Sequence, residues 1–149
     1  MSGRTAADEI EDIKRLKARY CRLMDQKRWQ EWGDLFTADA VLETGEGDGH
    51  MVIAGRDAIR DGVAAAMDGI LSSHNAGNPE IELTGPKTAT GIWSATFIQF
   101  AGRLRGYGFY YEDYVKDEGA WRIAKLAMPT TFVEGNEIPE LYEPVAHRW

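Results

Sequence analysis

Three side chains of this sequence, Tyr20, Asp25 and His74, are of the types that proton transfer on a small organic molecule requires. A histidine can act as the base, a carboxylate can orient its ring, and a tyrosine can serve as a weak acid. Tyr20 and Asp25 stand at the end of an amphipathic segment, and His74 stands in a later run of polar residues. The pattern therefore indicates acid–base chemistry, provided that the fold brings the three side chains together.

Each of these residues also has a purely structural explanation. An aspartate at a helix end is usually a solvated turn residue, and a single histidine in a strand is more often structural than catalytic. Tyr20, at the spacing of an apolar helical stripe, is most simply a core aromatic. The chain's other two histidines are expected to be solvated, His50 in a Gly-rich turn and His147 near the C-terminus.

Length, composition and charge restrict the kinds of protein and partner that the chain can have. The 149 residues predict a single domain spanning 1–149, and the 44% hydrophobic content predicts a substantial core. A net charge of −7 without any cluster of Lys or Arg argues against nucleic-acid and anionic-membrane partners. Cys21 is the only cysteine and no apolar run is long enough to span a membrane, so we expect a cytoplasmic protein.

Hydrophobic periodicity predicts the elements that must position the candidate residues. Apolar positions recur at three- and four-residue steps from Ile10 to Met24, which predicts a helix with Asp25 at the edge of its buried stripe. Helices are also predicted over 29–36 and 55–67, and extended segments over 40–44, 50–53, 79–83, 88–100, 107–115 and 121–128. Helices followed by a meander of strands indicate an α+β domain whose sheet curls around the helices as an open-ended cone.

Five segments of the chain resemble the SnoaL-like group of the nuclear transport factor two-like superfamily: 20–25, 29–40, 55–59, 73–74 and 117–123. The resemblance covers about residues 8–133 and leaves a proline-containing tail, 134–149. It implies a cystatin-like α+β barrel, in which a curved mixed or antiparallel sheet wraps around N-terminal helices. It also implies a homo-oligomer, with both dimers and trimers known in the superfamily.

Within that group, Asp25 and His74 are similar to the catalytic Asp–His dyad of scytalone dehydratase, the bile-acid dehydratase and hexachlorocyclohexane dehydrochlorinase. Tyr20 matches the bile-acid dehydratase pattern, whereas the dehydrochlorinase has a lysine there. Met24 and Thr44 stand where scytalone dehydratase has tyrosines, and Gln99 stands where it has a second histidine. These departures make scytalone itself a poor candidate for the substrate.

The same resemblance implies which side chains line the pocket for a small hydrophobic substrate. Met24 lies beside Asp25, and one face of the strand 92–100 carries Trp93, Ala95, Phe97 and Gln99. On the next strand Tyr110 would face inward, together with Gly106 and Gly108, whose missing side chains would leave room for the ligand. The structural alternative is that both faces of these strands are plain core.

The resemblance and the residue types together predict a cofactor-independent dehydratase acting on a hydrophobic, cyclic, hydroxylated compound. His74 would be the base, Asp25 would orient it, and Tyr20 would hydrogen-bond the substrate oxygen. No metal is expected, because one cysteine and three scattered histidines supply no set of ligands. Two alternatives stay open: a ketosteroid-type isomerase with Asp25 as the base, and a non-catalytic ligand-binding or dimerisation module.

Overall fold

The computed structural model describes residues 3–45, 47–99 and 104–134. Within these residues the helices are α1 (Ala6–Asp25), α2 (Trp29–Gly33) and α3 (Arg56–Met67). The strands are β1 (Phe36–Thr44), β2 (Met51–Ala54), β3 (Ser72–Gly85), β4 (Thr88–Gln99), β5 (Leu104–Asp117), β6 (Ala120–Met128) and β7 (Thr130–Glu134).

Both ends of α1 are fixed by local chemistry. Thr5 and Asp8 form a capping box in which the Thr5 amide donates to the Asp8 carboxylate and the Asp8 amide donates to the Thr5 hydroxyl. At the other end the chain turns at Lys27, which has a left-handed φ of 59°. Because the helix stops just before this turn, Asp25 occupies the last position of α1.

The strands form one sheet in the order β2-β1-β6-β5-β4-β3, and β7 pairs with the first part of β5. All neighbouring pairs are antiparallel except β1 and β6, which are parallel. The sheet is therefore mixed, and the helices come mainly from the N-terminal part of the chain. The predicted α+β class with a curved mixed sheet is confirmed.

Aromatic side chains join the first helices to the sheet. Tyr20 of α1 contacts Trp32 of α2 and Phe36 of β1, with ring centroids 5.5 Å and 6.3 Å away. All three residues are buried, so they form part of the core beneath the helices. Aromatic pairs of this geometry stabilise beyond their area burial, by about 0.5–1.5 kcal/mol each. The contacts hold the C-terminal half of α1 against the sheet, which is the half that carries Asp25.

Several predicted element boundaries were wrong. The second helix ends at Gly33 rather than Phe36, and Phe36 begins β1 because it pairs in parallel with Ile123 of β6. β3 begins at Ser72 rather than Pro79, which places His74 on a strand. β5 begins at Leu104 rather than Tyr107, and β7 was not predicted.

The predictions that His147 is solvated and that residues 134–149 form a tail cannot be compared with the structure, because His147 and nearly all of that tail, from residue 135, lie outside the described residues.

None of the helices in the described ranges combines the length and the apolar character that crossing a membrane requires.

Candidate functional site

Asp25 and His74 form a hydrogen-bonded pair at the junction of α1 and β3. The Asp25 Oδ1 atom lies 2.6 Å from His74 Nδ1, and the Asp25 Oδ2 atom accepts a hydrogen bond of 2.7 Å from the His74 backbone amide. The Asp25 carboxylate therefore hydrogen-bonds both the main chain and the ring of His74. The fold thus brings together two of the three residues on which the predicted chemistry depends.

This contact determines the tautomer of the imidazole. An ionised carboxylate can only accept hydrogen bonds, so Nδ1 must carry the proton that it shares with Asp25. The other ring nitrogen, Nε2, then has a free lone pair, and the hydrogen bonds among the described residues do not engage it. A neutral imidazole in this state has the form required of a general base.

Burial lowers the pKa of the same imidazole. The His74 side chain is 7% exposed, and burial lowers its pKa below the usual value of 6.5 because the charged form loses hydration. The hydrogen bond to Asp25 opposes this effect, whereas the positive charges of Lys27 and Lys17 reinforce it. The net direction is downward, so the neutral form of His74 already predominates at pH 6.5 and increases further as the pH rises.

Two further side chains hold the Asp25 carboxylate in place. The Ser72 hydroxyl donates to Asp25 Oδ1 at 2.8 Å, and the Lys27 ammonium donates to the Ser72 oxygen at 2.7 Å. Because Lys27 can only donate, the Ser72 proton must point at Asp25. Ser72 and Lys27 were not predicted as site residues. Their positions follow from the left-handed turn after α1 and from the early start of β3, which sequence periodicity did not show.

A cavity of about 350 Å³ opens beside the pair. Its walls are mainly apolar, and they include every predicted site residue except Asp25 and Trp93: Tyr20, Met24, His74, Phe97, Gln99 and Tyr110. Helix α3 and strands β1, β2 and β6 supply the remaining walls. Asp25 does not itself line the cavity, and its carboxylate is linked to the cavity only by its hydrogen bond to the His74 ring.

Phe97 occupies the space that was expected to hold the ligand. His74, Phe97 and Gly106 lie in register on β3, β4 and β5, and the Phe97 ring stacks on His74 with centroids 5.7 Å apart. A Cβ atom on Gly106 would lie only 1.8 Å from the Phe97 ring. The glycine therefore makes room for Phe97, and the prediction that it makes room for a ligand was wrong.

Trp93 does not line this cavity but borders a second one, of about 240 Å³, which His74 also lines, and its substrate-binding role stays a prediction. Its indole nitrogen donates to the Tyr114 hydroxyl at 2.8 Å, and Tyr114 in turn donates to the Glu112 carboxylate. Glu112 also forms an ion pair with Lys17, and the side chains of the pair are 0% and 1% exposed, respectively. Trp93 thus belongs to a buried polar network next to the site.

The sequence positions of the two charged residues of this network indicate that both side chains are buried. Lys17 falls on the apolar stripe of α1, and Glu112 continues the inward face of β5 two residues after Tyr110. A lysine and a glutamate on facing buried surfaces predict an ion pair, because an unpaired buried charge is too costly to retain.

Two tyrosines border the cavity above the Lys17 ammonium. The Lys17 Nζ atom lies 4.0 Å from the ring centroid of Tyr20 and 3.3 Å from that of Tyr110. Burial raises the pKa of both phenols well above the usual value of 10; the neighbouring Tyr110 raises the pKa of Tyr20 further, whereas the Tyr20 hydroxyl acts in the opposite direction on the pKa of Tyr110. The buried Tyr110 hydroxyl forms no hydrogen bond of normal geometry to the described residues. Both phenols are therefore protonated and able to donate.

A second carboxylate–imidazole pair offers a contrast. His50 Nε2 lies 2.9 Å from Glu43 Oε1, but these side chains are 45% and 38% exposed. Glu43 borders a separate cavity of about 240 Å³, which His50 does not line. The exposed pair lacks both the burial and the apolar surroundings of Asp25 and His74. Among the described residues, no group of three His, Cys, Asp or Glu side chains is placed to hold a metal ion.

The family model of the SnoaL-like domain matches residues 5–127, which is most of the chain. The chain belongs to the SnoaL-like family. The family assignment predicted from sequence motifs is thereby confirmed.

Solved structures similar to this SnoaL-like protein share its fold. A scytalone dehydratase candidate from Novosphingobium aromaticivorans is 20% identical, with a TM-score of 0.77 and 95% of each chain covered. A protein of unknown function with a cystatin-like fold from Nostoc punctiforme is 22% identical, with a TM-score of 0.71, and the match covers 87% of this chain and 95% of that one. A hexachlorocyclohexane dehydrochlorinase is 14% identical, with a TM-score of 0.77 and coverage of 91% and 94%. The predicted cystatin-like architecture is confirmed.

Proposed function

We propose that this SnoaL-like protein is a dehydratase that removes water from a small, hydrophobic, cyclic hydroxylated compound without a cofactor. The observation that carries the proposal is the 2.6 Å contact between Asp25 and His74, on the wall of a largely apolar cavity. A base oriented by a carboxylate inside an apolar cavity is suited to abstracting a proton from carbon. The names of two structural neighbours, a dehydratase candidate and a dehydrochlorinase, support an elimination reaction.

The reaction can be written for a β-hydroxy ketone. His74 Nε2 takes the proton on the carbon next to the carbonyl, and the electron pair of that C–H bond forms an enolate. The enolate then expels the β-hydroxyl group, which leaves as water after receiving the proton from the imidazolium. The products are a conjugated enone and one water molecule, and His74 returns to its neutral state. Asp25 stabilises the imidazolium in between, because its carboxylate already accepts from Nδ1.

Tyr20 acts in this scheme as a hydrogen-bond donor to the substrate's carbonyl oxygen. Its raised pKa keeps it protonated, so it stabilises the charge on the enolate oxygen without losing its own proton. Proton transfer is then assigned to His74 alone. This is the hydrogen-bonding role predicted from the sequence, without transfer of the tyrosine's own proton.

The isomerase alternative assigns the base to Asp25, and the hydrogen bonds of that residue weigh against it. Ser72, the His74 amide and the His74 ring all donate to the two carboxylate oxygens. Both carboxylate oxygens are thus engaged by protein donors, and Asp25 does not line the cavity, so neither oxygen is presented to a substrate there. The imidazole has a free nitrogen and is the better candidate.

A pH–rate profile tests this assignment. The full chain would be supplied with 3-hydroxycyclohexanone and 4-hydroxy-4-phenylbutan-2-one, and enone formation would be followed by ultraviolet absorbance. Only neutral His74 can accept a proton, and burial lowers its pKa below 6.5. We therefore expect a rate that is level in mildly alkaline solution, falls as the pH is lowered, and reaches half its plateau value at a pH below 6.5.

Two results would count against the proposal. A rate that persists down to about pH 4 would indicate a carboxylate base, and the isomerase mechanism would then be favoured. The absence of both enone formation and deuterium uptake at the α-carbon in heavy water would favour a non-catalytic binding module. The non-enzymatic rate at each pH, measured in buffer alone, serves as the control.

A further inference from the structure

Lys27, just after helix α1, occupies a backbone position that usually belongs to glycine. The Arg28 amide donates to the Leu23 carbonyl at 2.9 Å, and the Lys27 amide donates to the Met24 carbonyl at 3.1 Å, which is the hydrogen-bond pattern of a Schellman motif. The residue at this turn takes a left-handed φ, here 59°, which is unfavourable for any residue that has a Cβ atom. A lysine against this backbone preference indicates that its side chain is used elsewhere.

The Lys27 side chain is the outer end of a series of hydrogen bonds that reaches His74. Its ammonium donates to the Ser72 hydroxyl at 2.7 Å, and Ser72 donates to Asp25 Oδ1 at 2.8 Å. The same Asp25 oxygen lies 2.6 Å from His74 Nδ1, so Ser72 and the imidazole share one acceptor atom. These contacts join a positive charge to the carboxylate that orients the proposed base.

The surroundings of the Lys27 ammonium favour its charged form. Burial lowers the pKa of Lys27, and the carboxylates of Asp25 and of Asp68, the residue after α3, oppose this effect. The Trp29 indole donates to Asp68 at 3.1 Å and so holds that carboxylate in place, and the Lys27 Nζ atom lies 5.8 Å from the centre of the Trp29 ring. The ammonium is thus held between two carboxylates and an aromatic ring.

The charges that act on the His74 ring come from α1 and from the turn that follows it. Burial lowers the pKa of His74 most, Asp25 opposes this effect, and the positive charges of Lys27 and Lys17 add to it. Lys17 is already paired with Glu112 of β5. The neighbouring groups that stay protonated at neutral pH are two phenols and a thiol, those of Tyr20, Tyr110 and Cys21. Lys27 is the cation that hydrogen bonds connect to the carboxylate holding the ring.

This arrangement disfavours the protonated form of His74 in two ways. The charge of Lys27 repels an imidazolium, and Lys27 directs the Ser72 proton to the oxygen that would otherwise stabilise that imidazolium more strongly. Without Lys27, the Ser72 hydroxyl is free to rotate and the repulsion disappears. Both changes favour the imidazolium, so the presence of Lys27 keeps the neutral ring in the majority down to a lower pH.

We propose that Lys27 is a positioning residue of this site: from the turn after α1, its ammonium directs Ser72 toward Asp25 and favours the neutral His74 ring that is protonated on Nδ1. Lys27 does not line the cavity beside His74, so it acts through Ser72 and Asp25 and not on a substrate. The inference rests on the proposed function for the use that is made of the neutral ring. The state of the ring is itself a property of the protein without ligand.

Replacing Lys27 with glycine separates the effect of its charge from its place in the fold. Glycine suits the left-handed turn, so Lys27→Gly should unfold at a temperature close to that of the unaltered protein. Loss of the positive charge should raise the pKa of His74, and a nitrogen-15 NMR titration of the full chain without ligand should show its midpoint at a higher pH. The rate of enone formation should then reach half its plateau value at a higher pH than in the unaltered chain.

Three variants control this result. Glu118→Gly relieves a similar backbone conformation, φ of 49° in the exposed turn between β5 and β6, and it should leave the His74 midpoint unchanged. Lys27→Arg keeps the charge and the ability to donate, so it should show a smaller rise than Lys27→Gly. Lys27→Asn, which also suits a left-handed turn, should show the same rise as Lys27→Gly and provides a second test if that variant does not fold.

The outcomes separate this inference from the proposed function. An unchanged His74 midpoint in Lys27→Gly and Lys27→Asn would overturn the inference, and so would an equal rise in Lys27→Arg, because the charge would then not be the cause. Loss of stability in Lys27→Gly together with an unchanged midpoint would assign Lys27 a structural role only. A raised midpoint, with no dehydration by the unaltered chain, would leave the inference standing and refute the dehydratase.

Discussion

Replacing His74 with alanine is expected to lower the rate of enone formation about 10²–10⁴-fold, because the reaction then lacks its positioned base. Asp25→Asn should cause a loss of similar size for a different reason. An amide can donate as well as accept, so it no longer requires the proton to sit on Nδ1, and it does not stabilise the imidazolium. Steady-state kinetics with the two β-hydroxy ketones would measure both effects.

The exposed pair of His50 and Glu43 provides the matched control. His50→Ala also removes an imidazole from a carboxylate partner, but that imidazole is about half exposed and does not line the cavity beside His74. We expect this variant to turn over at the unaltered rate. A His74→Ala protein that is folded by circular dichroism and retains full activity would exclude His74 as the base.

The second large effect is expected at the buried ion pair. Lys17→Met should lower the free energy of unfolding by about 3–5 kcal/mol, because it leaves the Glu112 carboxylate buried without its counter-charge. Urea denaturation, monitored by tryptophan fluorescence, would measure the change. The double variant Lys17→Met/Glu112→Gln should recover much of the loss, since the amide oxygen is neutral and can still accept from Tyr114.

A lysine one turn earlier on the same helix serves as the comparison. Lys14 pairs with Glu11 at the surface, where both side chains are about half exposed, so Lys14→Met should leave the stability almost unchanged. If Lys17→Met were as stable as Lys14→Met, the buried pair would have no structural importance. Recovery of stability in the double variant separates loss of charge balance from loss of packing.

The long periodic segments were the predictable part of the fold. The stripe from Ile10 to Met24 required a helix with one buried face, and α1 follows it closely. The alternation in β4 and β5 required strands, and Tyr110, Phe97 and Gln99 line the cavity on the faces that the family resemblance implied. In these places local pattern and tertiary packing favour the same structure, so the sequence alone was sufficient to predict the helix and the two strands.

The boundaries that were missed depend on contacts between distant segments. Residues 72–78 contain Ser, His, Asn and Gly, which have little intrinsic preference for strands, and they become β3 by pairing with β4. Phe36 continues the apolar pattern of α2, yet it pairs with Ile123, some ninety residues later. Neither pairing has a signal in the local sequence.

The parts of the site that were missed have a similar origin. Alternation places Trp93 and Phe97 on one face of β4, but it does not show that only Phe97 reaches the cavity. That difference depends on where α1 and the buried network of Glu112 and Tyr114 cover the sheet. The support of Asp25 by Ser72 and Lys27 likewise arises only when the turn after α1 meets the start of β3.

Nitrogen-15 NMR of the imidazole rings tests the central assignment most directly, because it reports which ring nitrogen of His74 carries the proton. At pH 7 we expect a neutral His74 ring protonated on Nδ1 and unprotonated on Nε2, with a pKa below 6.5 and a mixture of tautomers in Asp25→Asn. A neutral ring protonated on Nε2 would contradict the account, since no lone pair would then be available to remove a proton from a substrate in the cavity.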